Sequence, residues 1–322
     1  MGKKAKNTPK QVHIDTTFEF LLDTIIAEYM QTTIVPAGKV ESGPQTTSEG
    51  YESICLKPLC HFQAGCPQNF SDFVSSATAS GHEMKPGIAF AWWARSRLRY
   101  SCSTITATFV RFMVPYMKNI GLTELRSLST TCTRTRIRMD DLEIFSLGFS
   151  PNKTHALVLR YPLLSSITEI VEAKMGIPPH CSHNVLKCRK SGIVIDITLG
   201  QFLGTMKPYV FNDTDQFFSQ VPGKIIYFHK TKEEDIDEQV SRDNADIYKL
   251  RGSKDSKPGR FTKRVFRSCQ EKKEYCWNCK GGASIDSTLK RCTKCKKALY
   301  CCRTCQVLHW KTHKPGCSQV EH

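Results

Sequence analysis

The sequence predicts an α+β protein, a mixed helix and antiparallel-sheet domain followed by a small cysteine-rich module. Three observations lead to this reading. Apolar residues recur at helical spacing near the N-terminus and again between positions 89 and 120. Short runs rich in β-branched and aromatic residues, bounded by turn residues, follow without regular helix–strand alternation. Nine of the sixteen cysteines crowd the final fifty-four residues.

Taken in order, residues 1–14 are polar and lysine-bearing and are expected to form a disordered basic arm, in which Lys3, Lys4 and Lys6 could act as a nuclear address. Residues 15–230 are assigned to the α+β domain. Its first helix is predicted over 17–30, with Phe18, Leu21, Leu22, Ile25, Ile26 and Tyr29 on one face. The stretch from there to about Gly50 is rich in Gly, Pro, Ser and Thr and reads as loop. Helical patterns return over 89–99 and 103–120, with Gly121 as a stop. In the first, the tryptophans of Trp92-Trp93 are expected toward the core and Arg95, Arg97 and Arg99 on a solvated face. In the second, Pro115 lacks a backbone donor and costs about 3 kcal/mol unless the helix kinks. Strands are predicted at 156–160, 185–188, 193–198 and 224–229. Residues 231–271, acidic and then basic, read as a charged linker, partly helical, before the final module at 272–322.

The formal charge of +16 is concentrated at the C-terminal end, where residues 251–322 hold eighteen Lys and Arg against five Asp and Glu. Such a tail attracts anionic partners, nucleic acid among them, but carries no recognition motif for one. No run approaches the roughly eighteen apolar residues of a membrane span, and the N-terminus lacks a secretory apolar stretch. Lys6 stands where myristoylation needs Ser or Thr. An intracellular protein of nucleus or cytoplasm, with no membrane partner, is expected, and the seven scattered cysteines fit reduced thiols there.

From Cys276 the chain reads CWNC, twelve residues, CTKC, five residues, Cys301, three residues, Cys305, seven residues, His313, three residues, Cys317. A CxxC turn aims two thiolates at one tetrahedral ion, and cysteines four apart on a helix share a face, so the pattern indicates zinc. The segment has too few large apolar residues to fold unaided, whereas structural zinc contributes roughly 10 to 16 kcal/mol in finger peptides. A disulfide cluster is the alternative. Spacing alone leaves the roles of Cys269, Cys302 and His309 open. The order CxxC, CxxC, Tyr300-Cys301, Cys305-Gln306, His309-Trp310, His313 and Cys317 resembles the MYND zinc finger family over about forty-two residues. That resemblance implies two structural Zn2+ in a cross-braced arrangement, Cys276, Cys279, Cys301 and Cys305 on one and Cys292, Cys295, His313 and Cys317 on the other. Cys269, Cys302 and His309 would then be spectators. It further implies a protein-interaction module that binds proline-containing peptide segments.

No P-loop, dinucleotide fingerprint, HExxH or GxSxG occurs, and no signature of the SET methyltransferase domain that some MYND proteins carry. A thiol constellation is present instead. Cys102 falls at a predicted helix start, where unpaired amides favour the thiolate. His183 and Asp196 flank a hairpin whose turn lies within residues 189–192. Any even-length loop there makes paired residue numbers sum to an odd value, so the two side chains share a face. The segments AWWARSRLRYSCSTITATFVRFMVPYMKNIGL and HNVLKCRKSGIVIDITLGQF resemble the core of transglutaminase-like and papain-like thiol enzymes. The resemblance implies Cys102 as nucleophile, His183 as general base and Asp196 as its orienter. The sequence thus carries two readings. One is a zinc-binding MYND docking protein. The alternative is a cysteine-dependent hydrolase or acyltransferase of transglutaminase-like fold, with the finger recruiting substrate.

Overall fold

The structure is a computed structural model that describes residues 17–32, 39–46, 52–57, 70–98, 101–126, 136–151, 156–162, 170–175, 181–236, 238, 258–271, 273–280 and 289–317. The expected basic arm lies outside the described residues, as does Arg99. The chain opens with α1 (Phe18–Thr32), β1 (Lys39–Thr46) and β2 (Glu52–Lys57), then α2 (Phe70–Ala79), α3 (Pro86–Leu98) and α4 (Ser101–Thr108). A π-helical turn, Phe109–Met113, leads into α5 (Val114–Asn119). Next come β3 (Glu124–Arg126), β4 (Arg136–Arg138), β5 (Leu142–Pro151), β6 (Ala156–Pro162), β7 (Ile170–Met175), β8 (Cys181–Cys188) and β9 (Val194–Asp196). After α6 (Gly200–Leu203), β10 (Tyr209–Phe211), α7 (Thr214–Gln220) and β11 (Gly223–Lys230), the helix α8 (Pro258–Gln270) leads to the cysteine-rich end. There β12 (Lys290–Arg291) and β13 (Leu299–Tyr300) form a short hairpin before α9 (Arg303–His313).

Helix α1 forms for the reason its spacing suggests, and Thr17 Oγ1 accepts the Phe20 amide at its start. It is buried nearly all round: Thr24 and Glu28 are enclosed along with Phe18, Leu21, Leu22, Ile25 and Ile26. A helix covered on every side is a central element and not a surface one.

Two sheets flank the helices. One has the order β1-β2-β6-β7, in which β2 and β6 are parallel and the other pairs antiparallel. The other, β10-β9-β8-β5-β11, is antiparallel throughout. Strand β1 corrects the expected loop before Gly50. Gly43 and Pro44 are tolerated because β1 is an edge strand with register breaks between Val40 and Gln45. Pro115 is likewise absorbed. Val114 donates its amide to the Phe109 carbonyl five residues back, and Pro115 then sits in the first turn of α5, where a missing donor breaks no ladder bond.

Two further differences concern charge. Arg95 and Arg97 on α3 are buried, and Arg97 donates to the Met30 carbonyl at the end of α1, so the expected basic face is turned inward. Within the segment read as charged linker, α8 buries Val265, Phe266 and Cys269 against α1 while Arg260, Lys263 and Arg267 face outward. Its charge lies on one face and its apolar residues on the other, a pattern that overall composition conceals.

The five-stranded sheet is covered on both faces. Leu142, Ile144, Leu186 and Ile195 join the large core of α1, α3, the π turn and α8. Leu147, Phe149, Val185 and Val194 join Leu199, Phe211 and Phe217 in a smaller core on the opposite face. Among the described residues no helix is long and apolar enough to cross a membrane.

Candidate functional sites

The cysteine-rich end builds two clusters of four donors, each with all its ligand atoms within 4.8 Å of one another. Cys276, Cys279, Cys301 and Cys305 form one; Cys292, Cys295, His313 and Cys317 form the other. The local folding that produces them is visible in the turns. After each CxxC pair the chain takes a left-handed residue, Lys280 (φ 57°) and Lys296 (φ 55°). The amide of each bonds back to the carbonyl of the first cysteine, Cys276 or Cys292, at 2.9 Å. Cys301 and Cys305 are brought together by the first turn of α9, whose start Cys302 caps by accepting the Cys305 amide. His313 ends the same helix. Because the pairs alternate along the chain, each cluster ties an early segment to a late one.

The spacings fit zinc. Thiolates about 2.3 Å from a tetrahedral ion sit about 3.8 Å apart, and a thiolate and an imidazole nitrogen about 3.6 Å apart. Here Cys279 and Cys301 sulfurs are 3.6 Å apart, Cys301 and Cys305 3.5 Å, Cys292 and Cys317 3.8 Å, and Cys295 Sγ lies 3.4 Å from His313 Nε2. Residues 276–317 match the family described as MYND finger. This segment is a MYND-type zinc finger. No solved structure matches the chain, so the likeness of the larger domain to transglutaminase-like and papain-like enzymes gains no support from known folds.

The MYND finger carries two structural Zn2+. Four protein donors per ion close the tetrahedron and leave no position for a catalytic water. The three residues that spacing left open take other work. Cys302 caps α9, His309 Nδ1 lies 3.1 Å from the Tyr300 hydroxyl, and Cys269 is in the main core, where burial pushes its thiol up to about 11.

The finger is joined to the larger domain through a buried carboxylate that the sequence reading missed. Glu28 Oε1, on α1, accepts from Ser268 Oγ on α8 at 2.7 Å, from Tyr275 OH at 2.7 Å and from Lys273 Nζ at 3.0 Å. Burial opposes the Glu28 charge, but these three donors outweigh it and hold the carboxyl below its ordinary value. Lys280 adds an ion pair to Asp23, and α9 lies against α3.

The second site lies at the end of β9. Strands β8 and β9 pair Leu186 with Ile195 and Lys187 with Val194, and Cys188 closes the turn by donating to the Ile193 carbonyl at 2.8 Å. Continuing that register puts Asp196 across from Val185, one same-face step from His183. His183 Nε2 lies 2.6 Å from Asp196 Oδ2, and Asp196 Oδ1 accepts the Thr198 amide at 2.9 Å. Beyond the end of β9 the edge of β8 is covered by α4. There Asn184 Nδ2 donates to Ser103 Oγ at 3.2 Å, Thr106 Oγ1 approaches the Asn184 carbonyl, and the Cys102 sulfur lies 3.9 Å from the Ser103 hydroxyl. The structure thus brings Cys102, His183 and Asp196 together.

It adds a fourth member. Gln201 Nε2 lies 2.9 Å from His183 Nδ1. No sequence signal marked Gln201, because its position follows from a four-residue helix after β9. Burial disfavours the charged ring, yet the Asp196 charge and hydrogen bond raise His183 to about 10. Burial likewise opposes a Cys102 thiolate, but the donors from His183, Asn184 and Gln201 bring that thiol below its ordinary value.

Proposed function

We propose that the protein docks a protein partner through its MYND finger, the partner presenting a proline-containing peptide segment. The observation that carries this reading is the closed coordination of both metal sites, which leaves the finger a surface to offer and no open metal position. MYND fingers generally bind protein partners. Three large apolar side chains of the finger are exposed, Trp277, Val307 and Trp310. Trp277 also lines a cleft of about 640 Å³ between the finger and α1, together with Phe20, Asp23, Lys207, Lys280 and His309. Exposed tryptophans beside a concave, partly apolar surface are the groups that dominate binding energy in protein interfaces, and proline rings stack readily on them. The basic character of residues 251–322 favours acidic residues flanking the bound segment.

The test is fluorescence polarisation of the full, zinc-loaded chain against labelled proline-containing peptides. Binding is expected to vanish on metal chelation and to weaken about tenfold or more in Trp310→Ala with zinc content unchanged. Peptide binding that survives complete metal removal would defeat the reading.

A further inference from the structure

Resting on the docking role proposed above, we infer that the finger does not receive its partner alone: the larger domain completes the cleft, and its Lys207 takes an acidic side chain of the partner segment while Trp277 meets the apolar part.

The cleft of about 640 Å³ is lined from both sides of the molecule. Its volume falls within the range of concave sites that enclose a ligand. Trp277 and Leu299 come from the finger, Phe20 from α1, and Lys207, Pro208 and Val210 from the segment that enters β10. Trp277 is 40 % exposed, so a partner has aromatic surface left to cover.

Most charge in the cleft is already matched. Lys280 pairs with Asp23 at 2.8 Å, Lys273 with Glu28 at 3.0 Å, and Glu274 with Arg291 at 2.7 Å. Glu19 has an interaction partner as well. Lys207 differs. Among the described residues no carboxylate lies within ion-pair distance of its ammonium, although the side chain is half-buried. Burial disfavours that charge and the Lys280 charge disfavours it further, with partial relief from Asp23, so the ammonium is held below its ordinary value. An incoming carboxylate relieves both effects, and it is screened less there than at an open surface.

The lysine is also held in place before any ligand arrives. Met206 is sunk in the main core on one side, and Pro208 on the other biases Lys207 toward extended backbone. Such preorganisation lowers the ordering cost of binding. Lys297, the other cation of the cleft without an ion pair among the described residues, is exposed, and water screens it. One half-buried cation among apolar residues suits a single carboxylate, whereas a nucleic-acid backbone is gripped by several cations at once.

The experiment is fluorescence polarisation of the full, zinc-loaded chain at physiological salt. The probes are labelled peptides with a central proline in an Ala, Ser and Leu background, in which one Asp, Ala or Lys is walked across the flanking positions. At its best position Asp should bind about fivefold tighter than Ala and about tenfold or more tighter than Lys. Lys207→Glu should reverse the order of Asp and Lys. Lys207→Met should bring the Asp and Ala peptides within about twofold of each other with zinc content unchanged, and Lys297→Ala should alter the preference by less than that. Wild-type protein that binds Asp and Lys peptides alike, yet only with zinc present, overturns this proposal alone and relies on no variant to fold. Absence of zinc-dependent binding to every peptide defeats the docking role along with it. A preference lost equally in Lys297→Ala would belong to general basic charge. Single-stranded DNA that outcompetes the Asp peptide, and loses its affinity in Lys207→Met, would make the cleft a nucleic-acid site. Either of these last two results also overturns the proposal.

Discussion

Glu28 and His183 show how single buried charges can bind distant parts of a chain. Glu28 gathers donors from α8 and from the start of the finger, and removing it would leave Ser268, Tyr275 and Lys273 without that acceptor. Glu28→Ala is expected to destabilise the protein by about 3 kcal/mol, the usual cost of breaking a buried charged pair, measured as a shift in urea midpoint. His183 has a pH signature. Its folded value is raised from 6.5 to about 10, so its stabilisation is complete below pH 6.5 and is lost as pH rises through about 10. Cys102 works the other way, since its lowered thiol adds stability that grows as pH rises toward 9.0. In a Cys102→Ser background, stability should therefore fall between pH 6.5 and 10, and Asp196→Asn should flatten that fall. A slope indifferent to Asp196 would detach it from the pair.

At the scale of elements, α6 is tightly specified by its surroundings. Gly204 closes it with φ +67°, and a Cβ there would sit 2.6 Å from Ala91 Cβ and 2.8 Å from Ala91 Cα. At Gly200 a Cβ would meet the Thr205 carbonyl oxygen at 1.9 Å. The left-handed conformation and the overpacking each cost about 1 to 2 kcal/mol, so Gly204→Ala should destabilise by roughly 3 kcal/mol. Because α6 carries Gln201, whose side chain lies 2.9 Å from His183 Nδ1, the same substitution should shift the His183 ring resonances even where the chain remains folded. Unchanged His183 resonances by NMR in a folded Gly204→Ala would separate α6 from the site. Helix α1 and the β8–β9 hairpin were legible in the sequence, since each rests on a local pattern of spacing or turn residues. Strand β1 was not, because only its edge position accommodates Gly43 and Pro44; of α8 the partly helical character was foreseen but not the burial of its apolar face.

At the scale of the whole molecule, the finger is part of the main hydrophobic core and not an appendage. Buried Cys276, Cys292 and Tyr300 belong to the same cluster as Leu21, Ile25 and Phe266. Zinc removal should accordingly loosen more than the finger. Chelation is expected to lower the melting temperature of the entire chain and to expose α1 and α8 to protease, read by limited proteolysis with mass spectrometry. A larger domain that melts unchanged without metal would show that the shared core contributes little.

The sequence by itself determined the zinc module, because ligand spacing is a local property and each donor pair is set by a turn or a single helical step. It determined as well that His183 and Asp196 share a face, because strand parity follows from numbering alone. Only the tertiary structure decided that Asn184 on β8 meets Ser103 on α4 beside Cys102, and that Glu28 binds α8 and the finger to α1. Those meetings join residues from 81 to 247 positions apart along the chain, and no local periodicity encodes where one buried surface will close upon another.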